Sequence, residues 1–155
     1  MLDYQTLDTI ADSFIPLLFI WALLLLAKSL VQRDYSGAIQ HCVCLAYGLV
    51  LAYSMMFIDK YLSLWPSFGL DYSTHTAVAI VLLMTLWLRL NVSSAIWLGS
   101  YILYALLMLY QEYHSVADII TTALVVCVLM VPFVHFLKQK NSQAIQDIES
   151  TSVSI

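Results

Sequence analysis

Residues 13–31 read SFIPLLFIWALLLLAKSLV, and this stretch decides the fold class. From Phe14 to Ala27 it holds no charged residue. A run of about 17 to 25 apolar residues is what one helix needs to cross the hydrocarbon core of a bilayer. A backbone in lipid must satisfy its own hydrogen bonds, so such a run is expected as a helix. Pro16 falls in the first turn of this expected span, where proline is tolerated. Lys28 and Arg33 mark its end. The chain starts Met1-Leu2-Asp3 and carries Asp8 and Asp12 before the apolar run. A cleaved signal has a basic segment there, so the run is expected to be retained as a span.

Moving outward, the same pattern recurs. Asp34-Tyr35-Ser36-Gly37 reads as a turn, and a second span is expected over 38–58, ended by Asp59 and Lys60. A loop over 61–74 contains Trp65, Pro66 and Gly69. A third, short span covers 75–88 and closes at Arg89-Leu90-Asn91. A fourth covers 93–110, followed by Gln111-Glu112-Tyr113, and a fifth covers 114–137. The polar tail 138–155 is expected to be disordered or loosely helical. The fold class is therefore all-α: an integral membrane bundle of about five transmembrane helices over 1–137, with a polar tail over 138–155.

Composition agrees. The chain is 62% hydrophobic and 10% charged, against about 25% charged in soluble domains. Only six Lys and Arg are present, and they are scattered, which excludes a nucleic-acid footprint. Cys42, Cys44 and Cys127 lie within apolar segments and show neither a disulfide framework nor zinc spacing. Gly48 and Gly99 are expected to allow close helix contact. Tyr47, Tyr53, Tyr101 and Tyr104 read as packing or interface residues.

Lys28 and Arg33, then Arg89, then Lys138 and Lys140 follow alternate spans and so share one side. Asp3, Asp8, Asp12, Asp59, Asp71, Glu112 and Asp118 fall on the other, with Lys60 its one basic residue. The bias of Lys and Arg toward the cytoplasm then places the N-terminus outside and the C-terminus in the cytoplasm.

The four histidines divide between these faces. His41 and His135 fall at the cytoplasmic ends, His75 and His114 at the outer ends. His114 and Asp118 are four apart, which on a helix puts them on one face, one turn apart. A carboxylate so placed fixes the imidazole tautomer and leaves the other nitrogen free as nucleophile or base. Ser73 or Thr74 can cap the helix that His75 opens, and a helix start favours an anion. The plainer use of such a His–Asp pair is as a cap or a solubilising pair.

Ser73-Thr74-His75-Thr76 resembles the Ser-Gly-His-Thr motif of the type 2 phosphatidic acid phosphatase superfamily. His114-Ser115-Val116-Ala117-Asp118 resembles its His-x-x-x-Asp motif. Tyr113-His114 and the Asp71-x-x-x-His75 spacing are similar to the sphingomyelin synthase branch. The resemblance covers about 60–137. It implies an extracytoplasmic lipid phosphatase or phosphotransferase working through a phosphohistidine, with no cofactor and no metal. His114 would be the nucleophile, Asp118 its orienting acid and His75 the general acid. Lys60, Asp71, Ser73 and Thr74 would meet the substrate, a phospholipid or an isoprenoid or sphingolipid phosphate. The family's Arg-Pro phosphate clamp is replaced here by Trp65-Pro66, its motif glycine by Thr74, and the arginine before its third motif is missing. The alternatives are a catalytically inactive member of the same fold, binding lipid or assisting membrane assembly, and a small transporter or channel subunit. No ionisable residue at mid-membrane depth marks a transport pathway.

Overall fold

The structure is a computed structural model that describes residues 4–90 and 92–153. Asp3 and Asn91, counted above among the outer acids and at the end of the third span, lie outside the described residues. Five α-helices and one short 3-10 helix make up the described fold, with no strand among the described residues.

Helix α1 (Tyr4–Val31) begins well before the expected start at Ser13. The reason is local: the Thr9 and Ser13 hydroxyls donate to the carbonyls of Gln5 and Thr9, at 2.9 and 2.6 Å, so the polar residues sit comfortably on a helix. Pro16 therefore lies inside α1 rather than in its first turn. The buried residues Ala11, Leu18, Ala22 and Ser29 form one stripe along it.

Helix α2 (Tyr35–Leu62) takes in residues expected as a turn. Asp34 is its N-cap and accepts from the Gly37 N–H at 2.9 Å, which makes Tyr35, Ser36 and Gly37 its first turn. It continues past Asp59 and Lys60 to Leu62, where Ser63 turns left-handed at φ 51°. Its buried stripe is mostly small: Gly37, Ala38, Cys44, Gly48 and Ala52. A Cβ at Gly48 would lie 2.4 Å from a Val81 methyl, so the glycine does permit a close helix contact. Gly99 faces open space instead. After a 3-10 turn at Pro66–Phe68 come α3 (Thr74–Arg89), α4 (Ser94–Tyr110) and α5 (Val116–Val153). Helix α5 carries the tail along as helix to Val153, where disorder or loose helix had been expected, and it starts two residues after His114.

Helix α3 is the centre of the bundle and packs against α1, α2, α4 and α5. Residues 76–83 are all buried, the mark of a helix surrounded by protein on every side. The sheath is apolar outward as well: Leu17, Leu24, Val50, Leu103, Leu124 and Val128 are exposed, a surface that water does not favour. Gln5–Val31, Tyr35–Leu62 and Val116–Lys140 are long and apolar enough to cross a membrane, while Thr74–Arg89 and Ser94–Tyr110 are shorter apolar helices. The number of helices is that expected, and three of them could span a membrane.

At one end of the bundle the Arg89 guanidinium donates to Asp34 Oδ2 at 2.6 Å and to Ser29 Oγ at 2.9 Å. Arg89, expected to close the third span, also ties the end of α3 to the α1–α2 turn. It holds the Asp34 carboxyl below the usual carboxylate range. The opposite end carries His75 and His114.

Candidate functional site

The loop between α2 and α3 is the platform of this end. The Asp59 carboxylate, buried on the last turns of α2, accepts from the Trp65 N–H at 2.8 Å. The Trp65 indole donates to Thr121 Oγ1 at 3.1 Å and meets Tyr72 edge-on. The Tyr72 hydroxyl donates to the Ala52 carbonyl at 3.0 Å, and burial pushes its pKa well above the phenol range. Two backbone N–H groups then dock the loop onto the start of α5: Asp71 donates to Asp118 Oδ1 at 2.7 Å, and Ser73 donates to Thr122 Oγ1 at 3.1 Å. These bonds set the start of α3, and hence His75, against the start of α5.

The turn between α4 and α5 is equally determined. Glu112 adopts φ 58°, the Glu112 N–H donates to the Leu109 carbonyl and the Tyr113 N–H to the Met108 carbonyl. That pattern closes α4 as a Schellman motif, with glutamate in the left-handed place usually taken by glycine. Ser115 then opens α5. Its hydroxyl accepts from the Asp118 N–H at 3.2 Å, while Asp118 Oδ2 accepts from the Ser115 N–H and Oγ–H at 2.8 and 2.7 Å. This is a capping box of the Ser-x-x-acid kind, here with aspartate in place of the usual glutamate or glutamine.

The capping box changes the role read for Asp118. His114 precedes α5 instead of lying on it, so the expected one-turn pairing along a helix face does not form. Asp118 is buried and spends its oxygens on the Asp71 and Ser115 N–H groups and the Ser115 hydroxyl. The carboxylate beside His114 is that of Asp71, whose Oδ2 lies 3.6 Å from His114 Nδ1; the His114 side chain is 12% exposed and the Asp71 side chain 70%.

His75 and His114 do come together. Their ring centroids are 6.5 Å apart, tilted at 53°. The Tyr113 ring also lies near His75, at 6.2 Å and 29°, and its hydroxyl donates to Asp8 of α1. Burial lowers the pKa of His114; Asp71 and Asp118 work against that, and the neighbouring His75 adds to it. The net direction leaves the imidazole unprotonated, with a lone pair available, at neutral pH.

The remaining expected site residues fall as follows. Ser73 is fully buried, and its hydroxyl accepts from the Thr76 N–H at 3.2 Å, so it serves as the N-cap of α3 and does not face the site. Thr74 is the half-buried first residue of α3. Lys60 is an exposed side chain in the last turn of α2, without a hydrogen bond or ion pair among the described residues. Asp8 was read as an outer charge, and Tyr113 as a turn residue and part of the Tyr113-His114 resemblance; nothing local in sequence could have joined residues 105 apart. Ser115 was legible, since Ser-x-x-Asp before an apolar run is a helix-start signature. Among the described residues no group of three His, Cys, Asp or Glu is placed to hold a metal ion.

Beside the site, an apolar groove of about 560 Å³ runs between α4 and α5 over a floor of α3. Leu109 and Val116 line it, and they flank the turn that carries His114; Trp87 and Ser94, at the other ends of α3 and α4, line it too. Comparison with protein-family models, curated proteins and solved structures finds no match to this chain.

Proposed function

We propose that this chain is a multi-pass membrane lipid phosphatase or phosphotransferase whose site faces away from the cytoplasm, with the N-terminus outside and the C-terminus inside. The observation that carries the reading is the meeting of two imidazoles from separate helix starts, 6.5 Å apart, with a carboxylate 3.6 Å from one of them. An uncharged His114 attacks phosphorus through Nε2. The bond from phosphorus to the leaving oxygen breaks, and His75 delivers a proton to that oxygen. Asp71 stabilises the cationic ring of the phosphohistidine from the Nδ1 side. Water or an acceptor alcohol then attacks phosphorus and frees His114. This is nucleophilic catalysis joined to general acid catalysis. The start of α3 offers its dipole to the phosphate, and Lys60 is the nearest basic residue in sequence. The apolar part of the lipid lies in the groove between α4 and α5, which begins at the His114 turn.

The test is turnover of purified protein on a panel of lipid phosphates: a phosphatidate, an isoprenoid phosphate and a sphingoid phosphate. Phosphate release or transfer is expected for at least one, with an acid-labile phosphohistidine trapped on His114. The His114→Ala variant is expected to lose both. Equal rates for the two proteins would overturn the reading. One observation favours a second reading, a catalytically silent lipid-binding member of the same fold. Among the described residues no basic side chain contacts the histidine pair, whereas phosphate sites normally supply charged donors. Saturable lipid-phosphate binding without turnover is its signature.

A further inference from the structure

Helix α1 lies outside the stretch that resembles a phosphatase, yet it reaches the histidine pair. Asp8 on α1 accepts the hydroxyl hydrogen of Tyr113, and the Tyr113 ring lies against His75 at 6.2 Å and 29°. His75 is exposed, and among the described residues its ring neighbours are Tyr113 and, at 6.5 Å, His114. An exposed imidazole on the first turn of a helix has wide freedom about its terminal torsion. A ring laid against it limits that freedom, but only if the ring is itself held. The Schellman turn holds the Tyr113 backbone through its N–H to the Met108 carbonyl. The hydroxyl bond to Asp8 holds the far end of the side chain. Tyr113 is thus fixed at both ends, and a bond to a carboxylate is among the stronger hydrogen bonds.

We infer that Asp8 and Tyr113 form a positioning pair for His75, with α1 contributing to the site through them. The inference rests on the reading of His75 as the acid that protonates the leaving oxygen. Neither residue touches the reacting atoms. Tyr113 sets the plane of the His75 imidazole relative to His114, and Asp8 keeps Tyr113 in place. Losing either leaves His75 present but poorly aimed.

A positioning role has a signature that a merely structural one lacks. A leaving group that is already acidic needs little protonation in the transition state, whereas an alkoxide needs a great deal. Tyr113→Phe keeps the ring and removes the tether; Asp8→Asn removes the charge at its other end. Each is expected to lower kcat about tenfold or more on an alkyl phosphate, a part of the roughly 10²–10⁴ that a general acid supplies. KM and turnover of an aryl phosphate should change less than about threefold. Because the two residues act through one contact, the double variant should be no worse than the worse single. Equal losses on both substrates, or losses that multiply in the double variant, would overturn the pair.

A second measurement stands apart from turnover. The ring protons of His75, followed by NMR in detergent micelles, should shift on Tyr113→Leu, which removes the ring current. They should shift in part on Tyr113→Phe and on Asp8→Asn. Unmoved signals overturn the pair even if the protein is an active enzyme. Moved signals in a protein that turns over no phosphate uphold the geometry of the pair and overturn the catalytic reading alone.

Discussion

His114 is the residue whose surroundings make the sharpest chemical statement. Burial lowers its pKa and is the largest influence, with the Asp71 and Asp118 carboxylates pulling the other way. A nucleophilic imidazole must be unprotonated, so activity falls as pH drops through this lowered pKa. The acid limb of kcat/KM, which reports the free enzyme, is therefore expected below the ordinary histidine value of about 6.5. Asp71→Asn removes a charge that favours the imidazolium. The acid limb should then move to still lower pH, and pH profiles of the wild type and the variant check this. A limb that stays where it is would mean that Asp71 does not interact with the titrating group. Asp118→Asn should act differently, by loosening the helix cap and the docked loop, since its carboxylate is occupied by N–H and O–H groups from Asp71 and Ser115.

At the scale of elements, the contact between α2 and α3 depends on the absence of a side chain. A Cβ at Gly48 would stand 2.4 and 2.9 Å from the two Val81 methyls and 3.1 Å from the Met130 methyl. Val81 is β-branched on a buried helix and has little room to turn. Gly48→Val is expected to cost about 1–3 kcal/mol through overpacking, seen as a lower midpoint of thermal unfolding in detergent. Gly99→Ala is the matched control. Its Cβ meets open space, and alanine is the better helix former by roughly 0.5–1 kcal/mol, so stability should hold or rise. A smaller loss at Gly48 than at Gly99 would contradict the packing of α2 on α3.

Across the whole molecule, the helix ends sort by charge. Asp8, Asp59, Asp71, Glu112 and Asp118 gather at the histidine end, and Arg89 with Asp34 and Ser29 holds the other. With α3 enclosed by the other helices, the orientation of the bundle follows from the basic residues near its ends. Reporter fusions after Arg33, Arg89 and Lys140 are expected to report the cytoplasm. A fusion after Asp59 is expected to report the outside. A cytoplasmic report at Asp59 would turn the histidine pair inward and remove the proposed outer site.

The sequence by itself determined the helical class and the number of helices, because apolar runs separated by turn residues and charges have few other readings. It also determined that His75 and His114 share one end, since the parity of the helices puts their starts together. Helix ends were less legible: short-range bonds from Thr9, Ser13 and Asp34 carried helix into residues that read as tail or turn. Only the tertiary structure decided which acid serves which group. The four-residue spacing of His114 and Asp118 pointed to a pair along a helix face, yet Ser115 captured Asp118 as a capping partner first. Asp71, 43 positions earlier in the chain, came to His114 because its backbone N–H bonds to that same captured carboxylate. The bond from Tyr113 to Asp8 likewise had no trace in the sequence, because it depends on where α1 lies beside the end of α4. Periodicity records what each helix buries, and side chains far apart in the chain are joined only when the helices pack.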